Sequence, residues 1–292
     1  MAPNDSDNTE FLQNLINVED LPTLPAIAQQ IIQMTMDPDA DYKKFSKLIQ
    51  SDPPIAAKVL KTANSAYYGK AHPAKTIEDA IFTIGLNHLA GICTSISIIQ
   101  SFSHWEESNL ELEMLWKHSI STAYLADRIA KREKIYGAVN FFLAGLFHDI
   151  GWMVLDHVAP ELISVALMIV EEDGIWSRYL EQDLIGVDHA EVGAFVLDNW
   201  NIARELSELT RFHNDPEKAG GLASHACIIQ FASALSPFPL PFTTPIGENL
   251  SPFNPIDLEA STGEGAHKEM QKRYAKDIKS TKDFTGLSLS MV

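Results

Sequence analysis

Apolar positions recur at spacings of three and four along most of the chain, and period-two alternation is scarce, so the pattern predicts helices. Phe11, Leu12, Leu15 and Ile16 make a short amphipathic turn. Ile27, Ile31, Ile32 and Met34 form the buried stripe of the next helix. Pro25 is expected in its first turn, where a missing N–H costs nothing. Asp37-Pro38-Asp39 ends it. Asp41 is the expected N-cap of a helix through Phe45, Leu48 and Ile49. Asp52-Pro53-Pro54 repeats the device before Val59, Leu60 and Ala63. Thr76 and Asp79 suggest a capping-box start for 77–86. Residues 87–102 are apolar on several faces, as in a central buried helix.

A second half begins near Glu111. Leu115, Ser119, Thr122, Ala123, Ala126 and Ile129 describe a helix with a small-residue face that also carries His118. Residues 139–155 read as a helix pair or a bent helix around His148-Asp149. A helix over 162–170 is stopped by Asp173-Gly174, and 175–185 is a short amphipathic segment. Asp188 caps a helix through Val192, Phe195, Val196 and Trp200, a short helix spans 203–212, and 224–235 is a buried helix. Pro237, Pro239, Pro241, Pro245, Pro252 and Pro255 then rule out a long regular element, so 236–258 reads as an extended surface connection. Ala266, Met270, Tyr274 and Ile278 give a short terminal helix whose other face is mostly basic. Its narrow apolar stripe suits docking on its own domain better than a membrane surface.

Composition changes this picture little. The 292 residues allow one large domain or two small ones. No apolar run is long enough to span a bilayer. The polar, acidic first ten residues lack a basic segment followed by an apolar one, which argues against a secretory signal. Cys93 and Cys227 lie far apart in apolar runs and read as buried free thiols in a reducing cytoplasm. A net charge of −17 opposes nucleic acid and anionic membranes.

The chemistry concentrates in histidines. His118, His148, His189 and His213 sit in or at the ends of predicted helices, beside small or apolar residues. Histidine and aspartate are metal ligands. The plain alternative for each histidine alone is a hydrogen-bonded structural residue, and for Asp149 a helix-end acceptor of backbone N–H groups. Neighbouring helical residues point about 100° apart. His148 and Asp149 therefore straddle one cation between their directions or serve two, with the carboxylate bridging. Two metals about 3.5–4 Å apart would activate a water and clamp a phosphoryl oxygen.

The chain resembles the HDOD family, a regulatory branch related to the HD phosphohydrolases, over roughly residues 20–235. The resemblance rests on Leu21-Pro22-Thr23-Leu24-Pro25, Ile49-Gln50-Ser51-Asp52-Pro53 and the run from Lys58 through Asn64-Ser65 to Gly69. Ile77-Glu78-Asp79-Ala80-Ile81, Ala144-Gly145-Leu146-Phe147-His148-Asp149-Ile150-Gly151 and Asp188-His189-Ala190-Glu191-Val192-Gly193 complete it. It implies an all-α HDOD fold over 11–235. An N-terminal helical half (11–110) would pack on an HD-like half (111–235), followed by a Pro-rich connection and terminal helix (236–292). It also implies a stand-alone signalling module that works by contact with a signalling protein. Active HD hydrolases carry His…His-Asp…Asp. Here His118, His148 and Asp149 match, but the last Asp falls at Ser233, and Phe212-His213 stands where double-metal relatives carry His-His. The residual set His118, His148, Asp149, His189 and His213 is expected to hold one divalent transition metal, iron, manganese or zinc. The alternative is a metal-dependent phosphohydrolase acting on a nucleotide or cyclic dinucleotide, completed by a carboxylate such as Asp127, Asp156 or Asp215. Asn64, Ser65, Tyr67 and Tyr68 form a second candidate patch for a ligand or partner. The competing reading is that Asn64 and Ser65 satisfy local backbone groups.

Overall fold

The computed structural model describes residues 11–16, 21–37, 41–65, 68, 73–102, 108–135, 139–173, 178–241 and 270–289. Among them every regular element is a helix. In the N-terminal half, a helical turn at 11–15 is followed by α1 (Ala26–Thr35), α2 (Tyr42–Gln50), α3 (Pro53–Ala63), α4 (Ile77–Ile84) and α5 (Leu86–Phe102). Their starts follow the local chemistry. The Asp41 carboxylate accepts the Lys43 N–H at the head of α2 (2.8 Å), and Asp52 accepts the Ile55 N–H at the head of α3 (3.0 Å). Each such cap is worth about 1 kcal/mol. Thr76 and Asp79 form a reciprocal capping box on α4. Pro25 differs from expectation: it is the N-cap of α1, one position before the first turn. Its φ of −55° suits either place, but its ψ of 137° is extended. Gly85, at φ +85°, lets the chain turn by 111° between α4 and α5.

The second half comprises α6 (Leu112–Arg132), α7 (Phe141–Phe147), α8 (Ile150–Val158), α9 (Pro160–Asp173), α10 (Arg178–Ile185), α11 (His189–Asn199), α12 (Arg204–Phe212) and α13 (Ala223–Ala234). A 3-10 segment, Pro216–Leu222, leads into α13. The predicted bend in 139–155 is a break: α7 ends at Phe147, His148 is its C-cap, and Asp149 is the N-cap of α8. Helix α6 is the axis of this half, with α7 and α13 packed along it, while α8 lies against α11 and α11 against α12. Buried α5 is packed against both α1 and α7 within one continuous core.

Close approach sets the site's dimensions. A methyl group at Gly145 on α7 would lie 2.6 Å from the Ala123 Cα of α6, so the small-residue face of α6 lets the two backbones touch. A methyl at Gly151 on α8 would overlap the His189 carbonyl oxygen at the start of α11. These glycines bring α6, the α7–α8 break and the head of α11 to one point.

The terminal helix is longer than the sequence pattern predicted. Residues 270–273 are helical, and α14 (Ala275–Leu289) runs well past Ile278. It docks on α6, burying Tyr274 and Phe284 completely. Of the predicted extended connection, 236–241 is described and is non-helical; the remainder lies outside the described residues, as do His104, Tyr67 and the 174–177 segment. No single helix among the described residues is long and apolar enough to cross a membrane. Both cysteines are free and buried.

Candidate metal centre

Five predicted residues converge. His118 comes from α6, His148 and Asp149 from the α7–α8 break, His189 from the first turn of α11 and His213 from the C-cap of α12. All five are buried. Asp149 Oδ2 lies 3.1 Å from His148 Nε2 and 3.4 Å from His118 Nε2. Its other oxygen, Oδ1, lies 3.5 Å from His189 Nε2 and 3.6 Å from His213 Nε2. One carboxylate thus joins two triads, His118–His148–Asp149 and Asp149–His189–His213. Asp149 holds the N-cap position of α8, yet its side chain accepts no capping N–H, so the helix-end alternative for it falls.

The far side of each ring decides its tautomer. His118 Nδ1 faces the Phe238 carbonyl oxygen (2.9 Å), His148 Nδ1 that of Gly145 (2.8 Å) and His213 Nδ1 that of Thr210 (2.7 Å). His189 Nδ1 faces the Glu181 carboxylate (2.7 Å). Every partner is an acceptor, so every Nδ1 carries the proton and donates. With all four rings neutral, four Nε2 lone pairs would point towards a carboxylate that is itself an acceptor. Three lone pairs have alternative donors near them: the Ser233 hydroxyl 3.0 Å from His118 Nε2, and the Asn214 amide 2.8 Å from His213 Nε2 and 3.3 Å from His189 Nε2. His148 Nε2 is buried without a hydrogen-bond partner among the described residues.

This arrangement fits a cation. Ligand atoms about 2.1 Å from one ion stand roughly 3.0–3.4 Å apart in octahedral or tetrahedral geometry. The separations around Asp149 are close to those values. Outward hydrogen bonds from ligating histidines to carbonyls or carboxylates are also what fixes such rings on a metal. The residues can therefore hold a metal ion, and the shared carboxylate offers places for two.

Electrostatics favours the neutral ring at two of the four histidines. Burial, with His148 adding to it, lowers His118 to about 4. Burial, then His148 and His189, lowers His213 to about 3. Both rings are neutral, with lone pairs available, near pH 7. Burial alone would raise Asp149, but His148, then His118 and His189, hold it well below the usual carboxylate range. Burial opposes protonation of His189 too, but the Glu181 carboxylate overcomes it and pushes the ring up to about 9, so without a metal this ring is charged near pH 7 and a bound ion would have to displace its Nε2 proton.

Other candidates lie elsewhere. Asp127 pairs with His88 (2.7 Å) and Lys131 (2.6 Å), Asp156 accepts from Ser108 and Asn109, and Asp215 pairs with Lys218 (2.8 Å). None of these three joins either triad. His225 stacks on Phe141. Asn64 clasps the backbone of residue 74, donating to the Ala74 carbonyl (2.9 Å) and accepting its N–H (2.6 Å). That is the local backbone role weighed above. The Ser65 hydroxyl is buried, and Tyr68 packs partly buried against the core.

Sequence reasoning missed three parts of the centre. Glu181 belongs to α10, eight residues before His189, with no motif to mark it. Trp152 stacks on His189 with ring centroids 4.6 Å apart. The Phe238 carbonyl is a backbone group and has no residue signature.

The HDOD domain model matches residues 21–216, well over half of the sequence. The chain belongs to the HDOD family. It is 26% identical over 199 residues to an uncharacterised protein of Treponema pallidum (strain Nichols), a match covering 68% of this chain and 38% of that protein. It therefore spans well under half the length of that relative. Among solved structures, an HDOD domain protein of unknown function from Geobacter sulfurreducens superimposes with a TM-score of 0.75 at 22% identity, covering 99% of this chain and 98% of that one. A candidate signal transduction protein from Marinobacter aquaeolei VT8 gives 0.72 at 19%, covering 98% and 66%. A candidate phosphohydrolase from Shewanella amazonensis SB2B gives 0.67 at 20%, covering 96% of each chain. At these identities the likeness shows a shared fold; what the site does rests on its own residues.

Proposed function

We propose that this HDOD protein is a metal-binding regulatory module that acts by contact with a signalling protein and does not turn over a substrate. Ser233 carries this reading. A neutral hydroxyl stands 3.0 Å from His118 Nε2, where a hydrolytic HD site needs a carboxylate, and no other acidic residue among those described joins the triads. A bound divalent ion supplies Lewis acidity. The chain's own residues supply the rest of the site: four oriented imidazoles, a bridging carboxylate, and Ser233 and Asn214 as neutral donors beside it. A hydroxyl can donate a hydrogen bond, but near neutral pH it cannot serve as the charged base that a carboxylate provides.

The second reading, a phosphohydrolase of a nucleotide or cyclic dinucleotide, draws on one observation. The two triads share Asp149, which is the arrangement a two-metal phosphoester site requires. The test compares the protein supplied with Fe²⁺, Mn²⁺ or Zn²⁺ against His148→Ala, using a generic phosphodiester and a panel of cyclic dinucleotides. The regulatory reading predicts no turnover above that of the variant. Hydrolysis that disappears in His148→Ala would establish the second reading instead.

A further inference from the structure

The strongest feature left over lies beyond the stretch matched by the family model, which ends at residue 216. The chain leaves α13 and lays residues 236–241 across α6. There the Phe238 carbonyl accepts the His118 Nδ1 proton (2.9 Å). Ser236 fixes that carbonyl in place. Its hydroxyl accepts the Phe238 N–H (3.3 Å) and is also hydrogen-bonded to the buried Ser121 hydroxyl, which in turn donates to the His118 carbonyl oxygen (2.9 Å). Leu235, just before this strap, and Leu240, within it, are both buried.

Residues 273–284 grip the other end of the same helix. Asp277 pairs with Arg128 (3.1 Å) and Arg132 (3.7 Å), Arg132 donates to the Arg273 carbonyl oxygen (3.0 Å), and Arg273 and Tyr274 both reach Glu133. Phe284 stacks on Tyr124 of α6, centroids 4.7 Å apart, and meets Phe142 edge-on. Phe142 belongs to α7, the helix that ends at His148. The arm thus touches both helices that supply the first triad, and it provides the acceptor that sets the His118 tautomer.

We propose that the C-terminal arm, residues 236–241 together with α14, is a latch on the metal centre, its docking and metal occupancy each strengthening the other. With the strap in place, His118 holds its proton on Nδ1 and its lone pair towards Asp149. With the strap displaced, Nδ1 loses its acceptor and the ring is free to change tautomer or turn. Outer hydrogen-bond partners of metal-bound histidines are worth about 10–100-fold in affinity. Linkage makes the effect reciprocal, so a bound metal must hold the arm down by the same factor. The inference rests on the metal-site reading above.

The test uses the full chain and Zn²⁺ alone, since an imidazole-rich site binds it more tightly than Mn²⁺ or Fe²⁺. Hydrogen exchange is followed in α14, with α2, which lies outside the site, as the internal reference. Saturating Zn²⁺ should slow exchange in α14 severalfold more than in α2. Ser121→Ala/Ser236→Ala, which changes no ligand, should bind Zn²⁺ about 10–100-fold more weakly. Equal slowing of α14 and α2 in a chain that binds Zn²⁺ through His148 overturns the latch and leaves the metal site standing. A wild-type chain that binds no Zn²⁺, or a His148→Ala variant that binds it undiminished, overturns both. If the double variant does not fold, the exchange comparison in the wild-type chain still decides.

Discussion

Histidines at helix ends do two jobs in this centre. His148 and His213 are C-caps of α7 and α12, and each uses Nδ1–H to satisfy a carbonyl three residues back. The cap protonates the outer nitrogen and leaves the inner one basic, so local helix chemistry prepares a ligand. The same burial gives the metal-free protein a definite response to pH. His118 and His213 have folded pKa values near 4 and 3, below the ordinary 6.5. The unfolded chain then binds more protons below pH 6.5, and stability falls as pH drops from 6.5 towards these values. His189 is raised to about 9, so its contribution is complete below 6.5 and is lost as pH rises through 9. Urea denaturation of the metal-free protein should therefore show greatest stability near pH 6.5, with losses on both sides. A flat profile from 4 to 9 would contradict these assignments. At this scale the members of the cluster were legible, because histidine and aspartate between apolar residues carry chemistry in their identity. Glu181 and the Phe238 carbonyl were not, because one is an ordinary surface-type residue in an amphipathic segment and the other is backbone.

Between elements, the centre depends on backbones that approach more closely than side chains allow. Gly151 is the sharpest case, since any Cβ there would overlap the His189 carbonyl oxygen. Gly151→Ala must push α8 from α11, widening the Asp149–His189 separation. It should cost on the order of 1–3 kcal/mol by overpacking, and it should weaken metal binding although it removes no ligand. Thermal denaturation and metal titration of the variant check both; wild-type values in both would mean that α8 and α11 need not touch. The helices themselves followed from capping residues and apolar spacing. Asp41, Asp52, Thr76 with Asp79, and Asp188 all cap as their positions suggest. Pro25 fell one residue early, because a proline's fixed φ suits the N-cap as well as the first turn and only ψ separates them. Which helices touch was less legible, because a glycine in a helix signals close approach without naming the partner.

At the scale of the molecule, a core continuous from α1 to α14 holds the ligand-bearing ends against one another. The terminal helix belongs to that core. Phe284 is fully buried between Tyr124 and Phe142, and Phe284→Ala should cost about 3–5 kcal/mol. Loss of less than 1 kcal/mol in chemical denaturation would show that α14 is not held there in solution. The sequence pattern saw a stripe at Met270, Tyr274 and Ile278 but not how far the helix continues, because Thr281 and Thr285 are polar in type yet buried in place. The central claim is that four histidines converge their Nε2 atoms on Asp149 to hold a divalent metal. Its most direct test is metal content after purification with iron, manganese and zinc supplied, for the wild-type chain and for Asp149→Ala. The account predicts one or two ions per wild-type chain and near-complete loss in the variant. A wild-type chain that folds and carries a small fraction of one ion, or a variant that retains the full content, would contradict it.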